Sequence, residues 1–253
     1  MAISKVQSVT GTGTVISLTP QAGNWLTLMS SCFNSVSSTA ETTPVASVGA
    51  STKPVLIQDK LSAALSSQGV LGSIFYIENT AATAHSVTPQ NFGAGNQHRT
   101  LVEFNGLVTS SSLDVKASAN ITNSNHTSQG TSTTATTGQA DELVLILCTL
   151  AGSPGAADVG WTDPVSGFTT LQKAVNDSSD IAGLHSFKVI AATGTQSATH
   201  NWTDTSTSQT SIALIGTYKA AASGGGGATT VGILLDPATM TGFFIGGLSG
   251  FTQ

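Results

Sequence analysis

Short apolar runs of about five to eight residues, each closed by a cluster of Gly, Ser, Asn or Thr, recur along most of this chain and leave it few ways to fold. That pattern is expected of strands in a sandwich or barrel. Strand candidates in the first half are residues 15–18, 25–32, 55–58, 71–78, 85–89 and 100–105. A second set follows at residues 143–150, 159–162, 168–172, 183–190, 198–202 and 211–218. Only residues 60–67 carry Leu and Ala at helical spacing, and a strand with a turn is nearly as well supported there.

The composition agrees with strands and narrows the function classes. Only 8% of the 253 residues are charged, with 8 Lys+Arg against 13 Asp+Glu and a net charge of -5. Charge-driven disorder needs high net charge with low hydrophobicity, whereas mean hydropathy here is +0.17. Eight scattered basic residues cannot build a phosphate-neutralising stripe, so nucleic acid is not an expected partner. No apolar run reaches the roughly 18 residues of a membrane-crossing helix, so no membrane partner is expected either. Residues 1–19 hold one Lys and no apolar core of signal-peptide type. Hydroxyl replaces charge: roughly 71 residues are Ser or Thr, beside 27 Gly, which disfavours helix and favours strand and turn. So little charge gives little colloidal repulsion, and a life inside an assembly is the expectation.

The two sets of strands read as copies of one unit. Residues 25–29, after Ala22-Gly23-Asn24, lie over residues 142–146, after Gln139-Ala140-Asp141. Ile74-Phe75-Tyr76 lies over His185-Ser186-Phe187, and residues 101–106 lie over residues 214–219. The shift stays at about 111 to 117 residues, close to one sandwich domain. The expected fold is all-β: two tandem antiparallel β-sandwich units, jelly-roll or Ig-like, with a C-terminal docking arm. The first unit is expected over 1–108 and the second over 109–221, with 222–253 as a Gly-rich linker and apolar arm. The Ser/Thr tract 109–139 reads as linker, as polar strand and loop, or as a mixture of both. Past Gly224-Gly225-Gly226-Gly227, a flexible spacer by composition, come Val231, Ile233, Leu234, Leu235, Phe243, Phe244 and Ile245. That much apolar surface is expected to dock on a neighbouring subunit or partner.

Candidate chemistry is sparse. His85, His98, His126, His185 and His200 form no close pair, and Cys32 and Cys148 stand alone, so no zinc spacing exists. Asp177 and Asp180 belong to an oxygen-rich loop that could hold calcium, yet it lacks the Gly and distal Glu of an EF-hand and reads better as an Asx-rich turn between strands. No metal and no cofactor are expected. The G-x-S-x-G elbow is missing, and Gly224-Gly225-Gly226-Gly227 lacks the Lys and Ser/Thr of a phosphate loop. The chain is therefore not expected to be an enzyme. Trp161 and Trp202, with Asp204 beside the latter, could form a sugar-stacking platform if exposed, and core if not.

The succession Ala22-Gly23-Asn24-Trp25-Leu26, Val159-Gly160-Trp161-Thr162-Asp163-Pro164, Phe75-Tyr76-Ile77-Glu78-Asn79 and Val102-Glu103-Phe104-Asn105-Gly106 resembles the β-sandwich domains of bacteriophage structural proteins and some bacterial surface proteins. Ser112-Leu113-Asp114 and the tract that follows resemble that family's bridge between sheets. In the first copy Gln58-Asp59-Lys60-Leu61 stands where the family has a turn with Gly and an aromatic. The resemblance implies a virion structural protein: a capsid decoration or head-fibre protein, or a tail protein, synthesised in the host cytoplasm. It would be homo-oligomeric and partnered by other virion proteins, the apolar arm adding a strand to an open sheet edge. The alternative is a glycan-binding or adhesive surface module whose partner is a host-surface glycan.

Overall fold

Side chains alternate across a pleated strand, and here the alternation sorts the apolar strand residues into three cores. The structure, a computed structural model, describes residues 2–12, 16–33, 45–48, 51–52, 61–65, 70–88, 97–151, 160–176, 181–203 and 209–222. Among the described residues all regular structure is β, and every strand pair is antiparallel.

The first half holds β1 (Ser4–Gly11), β2 (Ile16–Leu18), β3 (Trp25–Phe33), β4 (Val45–Val48), β5 (Ser51–Thr52), β6 (Leu61–Leu65), β7 (Val70–Ile77), β8 (His85–Thr88) and β9 (Gln97–Asn105). The second holds β10 (Leu113–Ser124), β11 (Ser128–Gly130), β12 (Glu142–Ala151), β13 (Thr169–Asn176), β14 (Ile181–Ile190), β15 (Thr199–Asn201) and β16 (Gln209–Lys219). Two five-stranded sheets run in the orders β1-β9-β3-β7-β6 and β10-β16-β12-β14-β13. In each, the first strand of that half forms an edge and the last strand lies beside it. Smaller sheets, β2-β8-β4-β5 and β11-β15, complete the set.

The large sheets face one another. Trp25, Met29, Ile74, Val102 and Phe104 from the first meet Leu143, Leu145, Leu147, Leu214 and Tyr218 from the second in a central core. Burying each of these side chains stabilises the fold by about 1.5–3 kcal/mol before entropy is counted. The opposite parity of each sheet fills an outer core. Leu26, Leu28, Phe75 and Leu101 pack with Ile16 and Leu18 of β2. Val144, Ile146, Cys148 and Leu184 pack with Trp161, Val165, Phe168 and Trp202 from irregular chain. The fold is thus an antiparallel β-sandwich with further cores outside its two main sheets.

Met1–Ser223 forms a first, compact unit. The expected boundary at 108/109 falls inside the first unit, where the Val108 N–H donates to the Lys219 carbonyl, the Lys219 N–H to Ser112 and the Ala221 N–H to Gly106. Residues 61–65, a helix candidate by spacing, form β6 because pairing with β7 overrides local Leu/Ala propensity. Residues 160–162, expected in a strand, are irregular: Gly160 takes a φ of 67°, and Trp161 turns into the outer core. The candidate strand 55–58 lies outside the described residues.

The Ser/Thr tract contributes β10, β11 and then a ladder of another kind. Thr131, Thr134 and Thr137 are buried, with exposed residues between them. Their N–H groups donate to the carbonyls of Ala198, Gln196 and Gly194. The N–H groups of those three residues donate back to the threonine hydroxyls at 3.1, 2.9 and 3.1 Å. Three residues on one side oppose two on the other, so an extra residue is taken up at every step, as in a bulge. The side chain supplies the acceptor that a regular strand would take from its backbone.

Candidate functional site

Between the large sheets, toward the end of β3 away from Trp25, lies a buried polar cluster. Ser31 comes from β3, Thr100 from β9, Thr149 from β12 and His185 from β14, each with essentially no exposed surface. Gln172 of β13 completes it. Thr149 Oγ1 donates to Ser31 Oγ at 2.8 Å, and Ser31 Oγ stands 2.9 Å from His185 Nε2. His185 Nδ1 stands 2.9 Å from Thr100 Oγ1, which donates to Gln172 Oε1 at 2.6 Å. With Thr149 and Thr100 donating as they do, one assignment satisfies the rest: Ser31 donates to Nε2 and Nδ1–H donates to Thr100. Burial, with His98 and His200 adding to it, pushes the His185 pKa down to about 3, so the imidazole is neutral. All the hydrogen bonds in this relay point one way, which lets them polarise one another.

Ser31 and His185 have the spacing of a nucleophile and its base. The group behind the imidazole is a hydroxyl rather than a carboxylate, and Ser31, Thr149, His185 and Thr100 are fully buried between two sheets, with Gln172 partly exposed at one end. The arrangement therefore cross-links the sheets. No sequence spacing marked it, because its members lie far apart in the chain and meet only through sheet pairing.

The carboxyl groups of Glu103, buried, and Glu78, half-buried, are also tied to the fold. Glu103 accepts from the Gln21 N–H at 2.8 Å, from Gln7 Nε2 at 2.6 Å and from Asn24 Nδ2. Glu78 accepts from the Ser112 N–H at 2.5 Å and the Ser111 N–H at 3.1 Å, gripping the turn between the halves, where Ser111 has a φ of 52°. Ser112 Oγ then accepts from Trp25 Nε1 at 3.1 Å. Glu142 is buried with Thr217 and Asp114 beside it, though neither of its oxygens has a hydrogen bond of normal length and angle. Burial is the main cause that raises its pKa to about 7. Cys32 and Cys148 are buried and share no disulfide, on the outer faces of different sheets, and burial pushes the Cys148 thiol far up. Among the described residues no group of three His, Cys, Asp or Glu side chains could hold a metal ion.

The aromatic candidates lie inside. Trp161 and Trp202 are 5% and 3% exposed and pack edge to face at 5.2 Å, with Trp202 Nε1 donating to Gln209 Oε1 at 2.9 Å. The exposed face that a stacking platform needs is absent at both rings. Asp204, Asp177, Asp180, Val231, Ile233, Leu234, Leu235, Phe243, Phe244 and Ile245 lie outside the described residues.

What the two tryptophans support from beneath is a surface groove of about 420 Å³. One wall is Thr162, Pro164 and Ser166; the other is Ser197, Thr199 and Asn201. Val165 and Ala198 line it too, and both pack in the tryptophan core. The walls are held together where the Thr162 N–H donates to the Asn201 carbonyl at 2.8 Å. The turn at 165–168 is closed by the Phe168 N–H on the Val165 carbonyl, with Gly167 at a φ of 77° that other residues rarely adopt. The opposite wall continues from the threonine ladder. Every lining residue is uncharged. The sequence offered no sign of the groove, because its walls come from separate segments that carry only common residues. Comparisons with family models, with curated proteins and with solved structures return no match for this chain.

Proposed function

We propose that this protein is a structural subunit of a larger assembly, a virion surface being the setting that its sequence resemblance favours, and that it joins the assembly through its apolar C-terminal segment. The observation that carries the reading is where apolar surface lies. Among the residues whose side chains are described, Val189, at 45%, is the one large apolar residue that is mostly open to solvent. Most of the large buried apolar side chains lie in the three cores. The sequence then places Val231, Ile233, Leu234, Leu235, Phe243, Phe244 and Ile245 beyond that body. Apolar residues in such number are contact residues for a partner or another copy.

The same reading treats the body as two copies of one unit packed face to face. The identical strand orders support it. So do two ring pairs at matching places across the central core: Tyr76 with Tyr218, at 5.3 Å and 71°, and Phe104 with Phe187, at 5.3 Å and 67°. If the halves are related by an approximate twofold axis, exchanging Tyr76 for Phe187 and Tyr218 for Phe104 turns one pair into the other.

Light scattering on the full chain tests the role of the segment. The full chain is expected to self-associate or to be captured by its assembly, and Leu234→Ser combined with Phe244→Ser to abolish this with unchanged thermal unfolding. Unchanged association in that variant overturns the reading.

A further inference from the structure

We infer that the groove walled by Thr162, Ser166, Ser197, Thr199 and Asn201 is a binding site for a neutral carbohydrate of one or two sugar units. The inference does not depend on the assembly reading. Its volume, about 420 Å³, falls within the range of small-molecule sites, roughly 300–1,000 Å³. The chemistry of the lining selects the ligand class. Four hydroxyls and one carboxamide offer both donors and acceptors, the complement of a polyhydroxylated ring. Pro164, Val165 and Ala198 give an apolar patch for the C–H face of such a ring. With no ionisable side chain in the lining, neither a phosphate nor a cation would find a counter-charge, and burying one unpaired is costly.

Pre-organisation is the second argument. A weak polar ligand is held only if the site pays little ordering entropy on binding. Both walls here are fixed from behind. The 197–201 wall is pinned by Thr131 and by pairing of β15 with β11, and the 162–166 wall by its own turn and by Asn201. Beneath them the Trp161–Trp202 pair forms a rigid base. The tryptophans thus act as the foundation of the site rather than as its contact surface.

The test is titration of the full chain with maltose, cellobiose, lactose and diacetylchitobiose, followed by saturation-transfer NMR and calorimetry. At least one is expected to bind saturably with a Kd of about 1 mM or tighter. Asn201→Ala should weaken that sugar by about tenfold, the loss expected when a directional partner is removed. Thr199→Trp, which fills the groove from an exposed position, should abolish binding. Both variants should keep the parent unfolding midpoint, since neither side chain is buried. Failure of all four sugars to bind at about 10 mM overturns the inference, as does binding that both variants leave intact. Self-association is read separately, so loss of sugar binding with intact assembly, or the reverse, tells the two proposals apart.

Discussion

Ser31 and Thr149 meet across the central layer with their hydroxyl oxygens 2.8 Å apart. They stand on the middle strands of the two sheets, β3 and β12, and start the relay that runs through His185 to Gln172. Thr149→Val keeps the shape and removes the donor. It should cost about 1–3 kcal/mol, because Ser31 is left with no donor in a site closed to water. Ser31→Ala should cost a similar amount. The double variant should cost less than the sum, since the second change removes a group already stranded by the first. Urea unfolding of the three variants measures this; strict additivity would show that the relay does not act as a unit.

The buried ionisable groups set opposing pH trends. Burial holds His185 at about 3 and His200 at about 4, down from 6.5, and lowers His98 and His85 as well. The unfolded chain takes up protons there before the folded one does, so this stability is complete above pH 6.5 and is lost as pH falls below it. Glu142 works the other way. Raised from 4.5 to about 7, it contributes most below pH 4.5, and its contribution is lost as pH rises to 7. Several histidines oppose one carboxyl group between pH 4.5 and 6.5, so the histidines prevail there. The urea midpoint should peak near pH 6.5 and fall on acidification, and Glu142→Gln should flatten the decline from 6.5 to 7. A midpoint that rises from pH 6 to pH 4.5 would contradict the neutral-histidine account.

Glu78 grips the turn between the halves through two backbone N–H groups. Glu78→Ala should destabilise the chain by about 1.5–3 kcal/mol, the range for hydrogen bonds to a charged group. Glu78→Gln, which keeps one carbonyl oxygen, should lose less. Because Ser112 also holds the Trp25 indole N–H, hydrogen exchange at that indole should quicken in Glu78→Ala. Exchange at the parent rate would show that the turn is held by other contacts.

Fold class was legible because strand length, turn residues and the scarcity of helix formers all point the same way. Strands dense in apolar residues, such as 25–33 and 142–151, announce themselves. β1 went unmarked because it is mostly polar, and β10 stood only as one of the readings of 109–139, because its alternation of Leu113, Val115, Ala117, Ala119 and Ile121 with polar residues lies in a tract rich in Ser, Thr and Asn. Matching of similar letters placed Trp25 over Glu142, one residue away from the match made by burial. Trp25 faces the central core and so does Leu143, while Glu142 has the parity of the outer core. One residue of slip exchanges the two faces of a strand, and letter similarity carries no record of face. Of the candidate sites, the sequence could nominate only conspicuous residues. The groove is made of Ser, Thr and Asn in a chain full of them, and becomes visible only when two distant segments are brought side by side.

The spacing of the central layer rests on two missing methyl groups. A Cβ at Gly72 would stand 2.7 Å from Leu147 Cδ2, and one at Gly183 would stand 2.9 Å from Ser31 Cβ. Each glycine belongs to one sheet and its obstacle to the other. At Gly72 the Leu147 tip could turn aside, but at Gly183 the obstacle is a Cβ, which moves only with its own strand. Growth on one side has to be met by shrinkage on the other, so the two halves of this chain are bound to a common history at their shared wall and remain at liberty to diverge on their outward sides.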